Sequence, residues 1–163
     1  LLLADFVLSL VLELSLRYSD TEIPTMTSRT VRRMSEGQLL EIKLRDKDKI
    51  NWNDYFKIID SKTASLFELS SRTGAILTTE DPYYIDAASE YGRNLGLVYQ
   101  IYDDLRDWSK KEYVQKLDVD DIGNFLKGKI QYHMELSRNA LKSLPESQAR
   151  ELLERFLNVI VKV

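Results

Sequence analysis

Tyr99-Gln-Ile-Tyr-Asp-Asp-Leu-Arg-Asp107 closes an apolar run that begins at Leu95, and its reading decides the fold. As a helix, it sets Asp103 and Asp107 one turn apart on one face, with Asp104 beside them and Gln100 one turn earlier. Gly92 and Gly96 continue that face backwards and leave room for a bulky group or another helix. Three carboxylates within five residues repel one another, so a counter-cation is expected if they are even partly buried. Hard oxygen ligands suit Mg²⁺, which keeps several waters and shares itself with substrate phosphates. The alternative is a solvated acidic face with Arg106 and Lys110 as partners, the usual fate of a charge run.

Working outward, an apolar stripe of Ala88, Tyr91, Leu95, Val98, Tyr102 and Leu105 carries this helix back to Asp81-Pro82, an N-cap followed by proline in the first turn. The preceding helix is predicted to start near Asn53 and to bury Phe56, Ile59, Thr63, Leu66, Ser70 and Leu77. Lys62 falls on that buried side, where lysine is rarely found without a partner. Its stem either snorkels to water or brings the ammonium to an anion; beside an acidic metal site, a phosphate oxygen suits its compact charge. Thr63 alone reads as a packing residue. Gln38 and Glu41 share a face with Val31 and Met34, so they either find hydrogen bonds inside or form a partly exposed polar edge.

Further helices are predicted over 1–17, 27–45, 125–143 and 145–163, with loops over 19–24 and 108–124. No strand-like alternation bounded by turns appears, so the fold class is all-α. The 163 residues suit one domain or part of one, and 44% hydrophobic content allows a sizeable core. A formal net charge of -3 argues against a nucleic-acid face. There is no cysteine and a single histidine, His133, which disfavours disulfides, thiolate sites and His-rich metal centres. The apolar start, Leu1-Leu-Leu-Ala-Asp-Phe-Val-Leu-Ser-Leu-Val-Leu12, is broken by Asp5 and soon followed by Glu13. A membrane span needs about 20 nearly uncharged residues, so a buried helix is expected here. The chain opens in the middle of this pattern without an initiator Met, so further residues are expected before Leu1.

Four blocks together resemble the trans-isoprenyl diphosphate synthase (polyprenyl synthetase) family in order and spacing. Leu1-Leu-Leu-Ala-Asp-Phe-Val-Leu8 is similar to the helix after that family's Gly-Asp dipeptide. Glu36-Gly-Gln-Leu-Leu-Glu41 resembles its Gly-Gln-x-x-Asp/Glu block, and Lys62-Thr-Ala-Ser-Leu-Phe67, with Gly74-Ala75 after it, its Lys-Thr block. The stretch from Tyr91 to Asp107 resembles its second aspartate-rich motif.

The resemblance implies an isoprenoid synthase fold, with helices packed around a central cavity, in a cytoplasmic homodimer. It implies Mg²⁺-dependent condensation of isopentenyl diphosphate with an allylic diphosphate to give a longer prenyl diphosphate. Carried over by position, Asp103, Asp104 and Asp107 would form the metal set, with Asp103 and Asp107 holding Mg²⁺ and Asp104 supporting them, and Lys62 would contact the allylic diphosphate. Gln100 and Thr63 would line the site near the reacting carbons; with Lys62, Asp103 and Asp104 they make up the catalytic set. Gln38, Glu41 and Lys116 would complete the substrate-binding set, although Gln115 stands where the family has a glycine.

The family's first aspartate-rich motif and its isopentenyl diphosphate site have no counterpart here; both belong before Leu1. After Asp121-Ile-Gly-Asn124 the family continues with a lysine and further helices, whereas Phe125-Leu-Lys-Gly-Lys129 runs directly into terminal-like helices. The 163 residues are therefore expected to be an incomplete isoprenoid synthase domain with a gap near 124–125. The alternative function is a non-catalytic helical subunit, or degenerate paralogue, that pairs with a complete synthase. A terpene cyclase of the same fold fits less well, since the Lys-Thr and Gly-Gln blocks point away from it.

Overall fold

A computed structural model describes residues 2–17 and 21–161. Among them the chain is all-helical: α1 (Leu2–Ser15), α2 (Glu22–Leu44), α3 (Trp52–Ile59), α4 (Ser65–Ile76), α5 (Pro82–Asp107), α6 (Glu112–Gln115), α7 (Ile122–Lys142) and α8 (Gln148–Ile160). Leu1, the start of the predicted 19–24 loop and the last two residues of the predicted final helix lie outside the described residues.

Helix α5 is the centre of the molecule. Asp81 caps it by accepting from the Tyr83 N–H at 2.9 Å, with Pro82 in the first turn as predicted. Tyr91, Leu95, Leu97, Val98 and Ile101 are all at most 4% exposed, so the middle of the helix lies in the core. Helices α4 and α7 pack along it. A Cβ on Gly96 would stand 2.7 Å from the Ala64 Cα, so the space left by this glycine is filled by the neighbouring helix.

Helices α3 and α4 form one rod joined by a π-helical turn, Asp60–Ala64. Its extra residue rotates the following face by about 100°. This corrects the predicted burial of the helix: Leu66 and Leu77 are 47% and 48% exposed, while Ala64 and Ser65 turn inward. Two arginines fix the turn. Arg33 Nη2 and Arg93 Nε donate to the two oxygens of the Asp60 carboxylate at 2.6 and 2.7 Å, and Arg33 Nη1 also reaches Glu68 at 3.0 Å.

Helix α2 begins five residues before its predicted start, because Pro24 sits in the first turn, where no backbone N–H is needed. Helix α7 begins at Ile122 because Asp121 caps the Asn124 N–H at 2.9 Å, and it runs unbroken through 124–125. The segment predicted as a loop over 108–124 holds a 3₁₀ turn (Trp108–Lys110) and α6. It is tied back by a parallel bridge in which Ile50 N–H donates to the Lys116 carbonyl at 2.7 Å.

The buried first helix is also corrected. In α1, Leu2, Leu3, Phe6 and Leu14 are 85%, 75%, 59% and 51% exposed, since no described element covers their face. Among the described residues, no helix is long and apolar enough to cross a membrane.

Candidate active site

The C-terminal half of α5 meets the π-helical turn and the 108–116 segment, and α2 packs against the same turn. Glycine 37 allows the approach of α2: a Cβ there would lie 2.7 Å from Ser61 Cβ and 3.0 Å from Lys62 Cγ. The close packing sets Lys62 beside Glu41, and its ammonium donates to Glu41 Oε2. Both side chains stay part-exposed, and Glu41 is the anion that Lys62 meets among the described residues.

Thr63, next along the turn, points at α5. Its hydroxyl donates to Gln100 Oε1 at 2.7 Å, and Gln100 Nε2 donates to Asp104 Oδ1 at 2.9 Å. Asp104 is fully buried. It also accepts from Tyr55 Oη at 2.7 Å, from Lys111 Nζ at 2.7 Å, and from Tyr113 Oη at 2.9 and 3.0 Å. Burial, reinforced by the Asp104 charge, pushes the Tyr55 and Tyr113 phenols far above their ordinary range, so both remain donors.

The aspartate trio is therefore not one set: Asp104 stands apart from the other two. Neighbouring helical residues differ by about 100° around the axis. Asp104 points into the core and its lone pairs are engaged. Asp103 and Asp107 share the outer face with side chains 34% and 30% exposed. Asp103 accepts from Lys111 at 2.5 Å and from Arg106 at 3.3 Å; Asp107 accepts from Lys110 at 3.0 Å. The Lys110 hydrogen bond holds the Asp107 carboxyl below its usual range. Burial works against the Lys111 charge, but the bonds to Asp103 and Asp104 outweigh it and raise its pKa.

Among the described residues, no group of three His, Cys, Asp or Glu side chains is arranged to hold a metal ion. Asp103 and Asp107 alone make a two-carboxylate face, and that donor set fits Mg²⁺, which commonly takes one or two carboxylates and completes its shell with water and phosphate oxygens.

Lys116 donates to the Arg45 carbonyl at 2.6 Å and to Glu112 at 2.7 Å, and with Glu41 and Tyr113 it lines a cavity of about 280 Å³. Gln38 is exposed on α2 and joins none of these bonds. Sequence reasoning missed Tyr55, Lys111 and Tyr113. Tyr55 was within reach, since it shares a stripe with Ile58 and Ile59 and a buried phenol needs a partner. Lys111 and Tyr113 lie in a polar segment without periodicity and carry no such signal.

A family model described as polyprenyl synthetase matches residues 1–153. The chain belongs to that family. A geranylgeranyl diphosphate synthase from Methanosarcina mazei is 32% identical over 87 residues, covering 53% of this chain and 27% of the relative. A geranylfarnesyl diphosphate synthase from the same organism is 41% identical over 75 residues, covering 46% and 25%. The matched segments thus span about a quarter of the length of these curated relatives. The solved polyprenyl synthetase from Streptomyces coelicolor superposes with a TM-score of 0.80 at 17% identity, covering 98% of this chain and 65% of that one. That likeness gives the fold, which is the isoprenoid synthase fold.

Proposed function

We propose that this chain carries one wall of a trans-prenyltransferase site, which joins isopentenyl diphosphate to an allylic diphosphate. What supports the reading is one contact between two motifs: Thr63, next to Lys62 in the π-helical turn, donates to Gln100, which lies one turn before Asp103 on α5. Asp103 and Asp107 would hold Mg²⁺, which when bound supplies Lewis-acid stabilisation of the leaving diphosphate.

Lys62 has three N–H donors and gives one to Glu41, which leaves two for a diphosphate oxygen. Glu41 holds that ammonium at the mouth of the site. Gln100 is held from both sides, by Thr63 and by Asp104, so its position beside the reacting carbons is set before substrate arrives. Lys116 adds positive charge on the far side of Glu41. In the reaction the allylic C–O bond breaks with its electron pair leaving on diphosphate; the allylic carbon then bonds to the isopentenyl double bond, and the resulting cation gives a proton to the released diphosphate.

Sequence beyond these 163 residues would supply the opposite wall and the isopentenyl diphosphate site. The exposed apolar face of α1 suits a covered surface, and a homodimer contact is our reading of it. A cytoplasmic setting accords with the chemistry of charged diphosphates. The test is elongation of an allylic diphosphate with labelled isopentenyl diphosphate and Mg²⁺. Asp103→Ala should lower turnover at least about 100-fold, and Lys62→Ala should weaken allylic diphosphate binding about tenfold or more. Near-normal turnover in Asp103→Ala would defeat the metal assignment, and unchanged affinity would remove Lys62 from the site. An intact mass near 19.0 kDa, with activity appearing only beside a second complete synthase, would favour a non-catalytic subunit instead.

A further inference from the structure

The reading of Asp103 as a metal ligand leaves Lys111 unexplained. Lys111 follows the 3₁₀ turn, three residues beyond the start of that turn at Trp108. Its ammonium bridges two carboxylates of unlike freedom: Asp104 Oδ1 at 2.7 Å and Asp103 Oδ2 at 2.5 Å. Asp104 is immobile, because it is fully buried and also held by Tyr55, Tyr113 and Gln100. Asp103 is part-exposed, and its other oxygen faces Arg106 at 3.3 Å, itself 55% exposed. A divalent ion approaching from solvent therefore finds the Asp103 carboxylate already neutralised by an internal cation.

Resting on the proposed metal role of Asp103, we propose that Lys111 is a positioning residue that occupies Asp103 in the absence of the divalent ion and yields it when the ion binds. Asp104 is the anchor that keeps the ammonium near. Once released from Asp103, Lys111 has an N–H free on the side where a metal-bound diphosphate would lie. The device would keep Asp103 aligned without metal and link metal entry to a donor for the anion.

The test uses Mn²⁺ as the probe, with free ion measured by electron paramagnetic resonance. A merely structural lysine, once removed, would leave Mn²⁺ affinity unchanged or weaken it. A competing one would do the opposite: Lys111→Met should bind Mn²⁺ about tenfold more tightly than wild type, the weight of one charge-assisted hydrogen bond. Adding inorganic pyrophosphate should erase that advantage. Unchanged or weaker Mn²⁺ binding by a folded Lys111→Met overturns the proposal.

Removing the cation beside buried Asp104 risks the fold, so acylation of wild-type lysines, read by mass spectrometry, serves as the second measurement. Labelling of Lys111 relative to Lys142 should rise several-fold on adding Mn²⁺, and no rise at saturating Mn²⁺ overturns the proposal equally. Absence of Mn²⁺ binding by wild type, with and without pyrophosphate, would instead defeat the metal reading of Asp103, and this inference with it.

Discussion

Asp103 and Asp104 are adjacent in sequence and should respond unequally to the same change. Asp104→Asn keeps the side-chain volume but replaces one acceptor oxygen by a donor. The Tyr55 and Tyr113 hydroxyls then lose their charged acceptor. A hydrogen bond to a charged group contributes about 1.5–3 kcal/mol and a neutral one about 0.5–1.5, so each tyrosine loses about 1 kcal/mol. Weakening the Lys111 contact adds about 1 kcal/mol more, since Lys111 keeps Asp103. Relief of the desolvation cost of a buried carboxylate offsets part of this, which leaves a net destabilisation of about 2 kcal/mol. Asp103→Asn, on a part-exposed face, should cost less than about 1 kcal/mol. Urea denaturation of both variants measures the difference. In a double-mutant cycle, Asp104→Asn and Tyr55→Phe should couple by about 1 kcal/mol. Equal costs for the two asparagine variants, or coupling below about 0.5 kcal/mol, would refute the assignment of Asp104 to the core.

Other outcomes follow from packing and titration. Gly96→Ala should destabilise by about 1–2 kcal/mol, because overpacking against the Ala64 backbone outweighs the gain in helix propensity. Gly128→Ala, with nothing within 4 Å of the new Cβ, should instead stabilise α7 by up to about 1 kcal/mol; thermal unfolding of the pair reads both signs. His133 is buried and donates from Nδ1 to Asn94 Oδ1 at 2.9 Å. Burial, helped by Lys129 and Arg93, lowers its pKa from 6.5 to about 4. The folded state resists its protonation while the unfolded chain does not. Its contribution is therefore complete above pH 6.5 and is lost as pH falls towards about 4, by at most about 1.4 kcal/mol per pH unit. His133→Gln should flatten stability against pH in that window, and an unchanged slope would count against a neutral buried imidazole.

Helix α5 was legible because its signals are local: the Asp81-Pro82 start and a stripe of one period. The π-helical turn was not, because its cause is long-range. Asp60 is held by arginines 27 and 33 residues away, and one inserted residue then turns Leu66 outward. For α1 the apolar content could be read but its burial could not, since burial depends on what covers a face. The aspartate motif combines both cases. Its spacing marks a functional helix end, yet treats three carboxylates as equivalent. Two phenols remote in sequence, Tyr55 and Tyr113, decide that Asp104 faces the core. The motif is thus two devices in one turn of helix: an inner carboxylate that ties α3 and the 108–116 segment to α5, and an outer, part-exposed pair held by Lys111 and Lys110. A stability measurement therefore separates the two, since loss of the inner carboxylate loosens α5 from its neighbours and loss of an outer one does not.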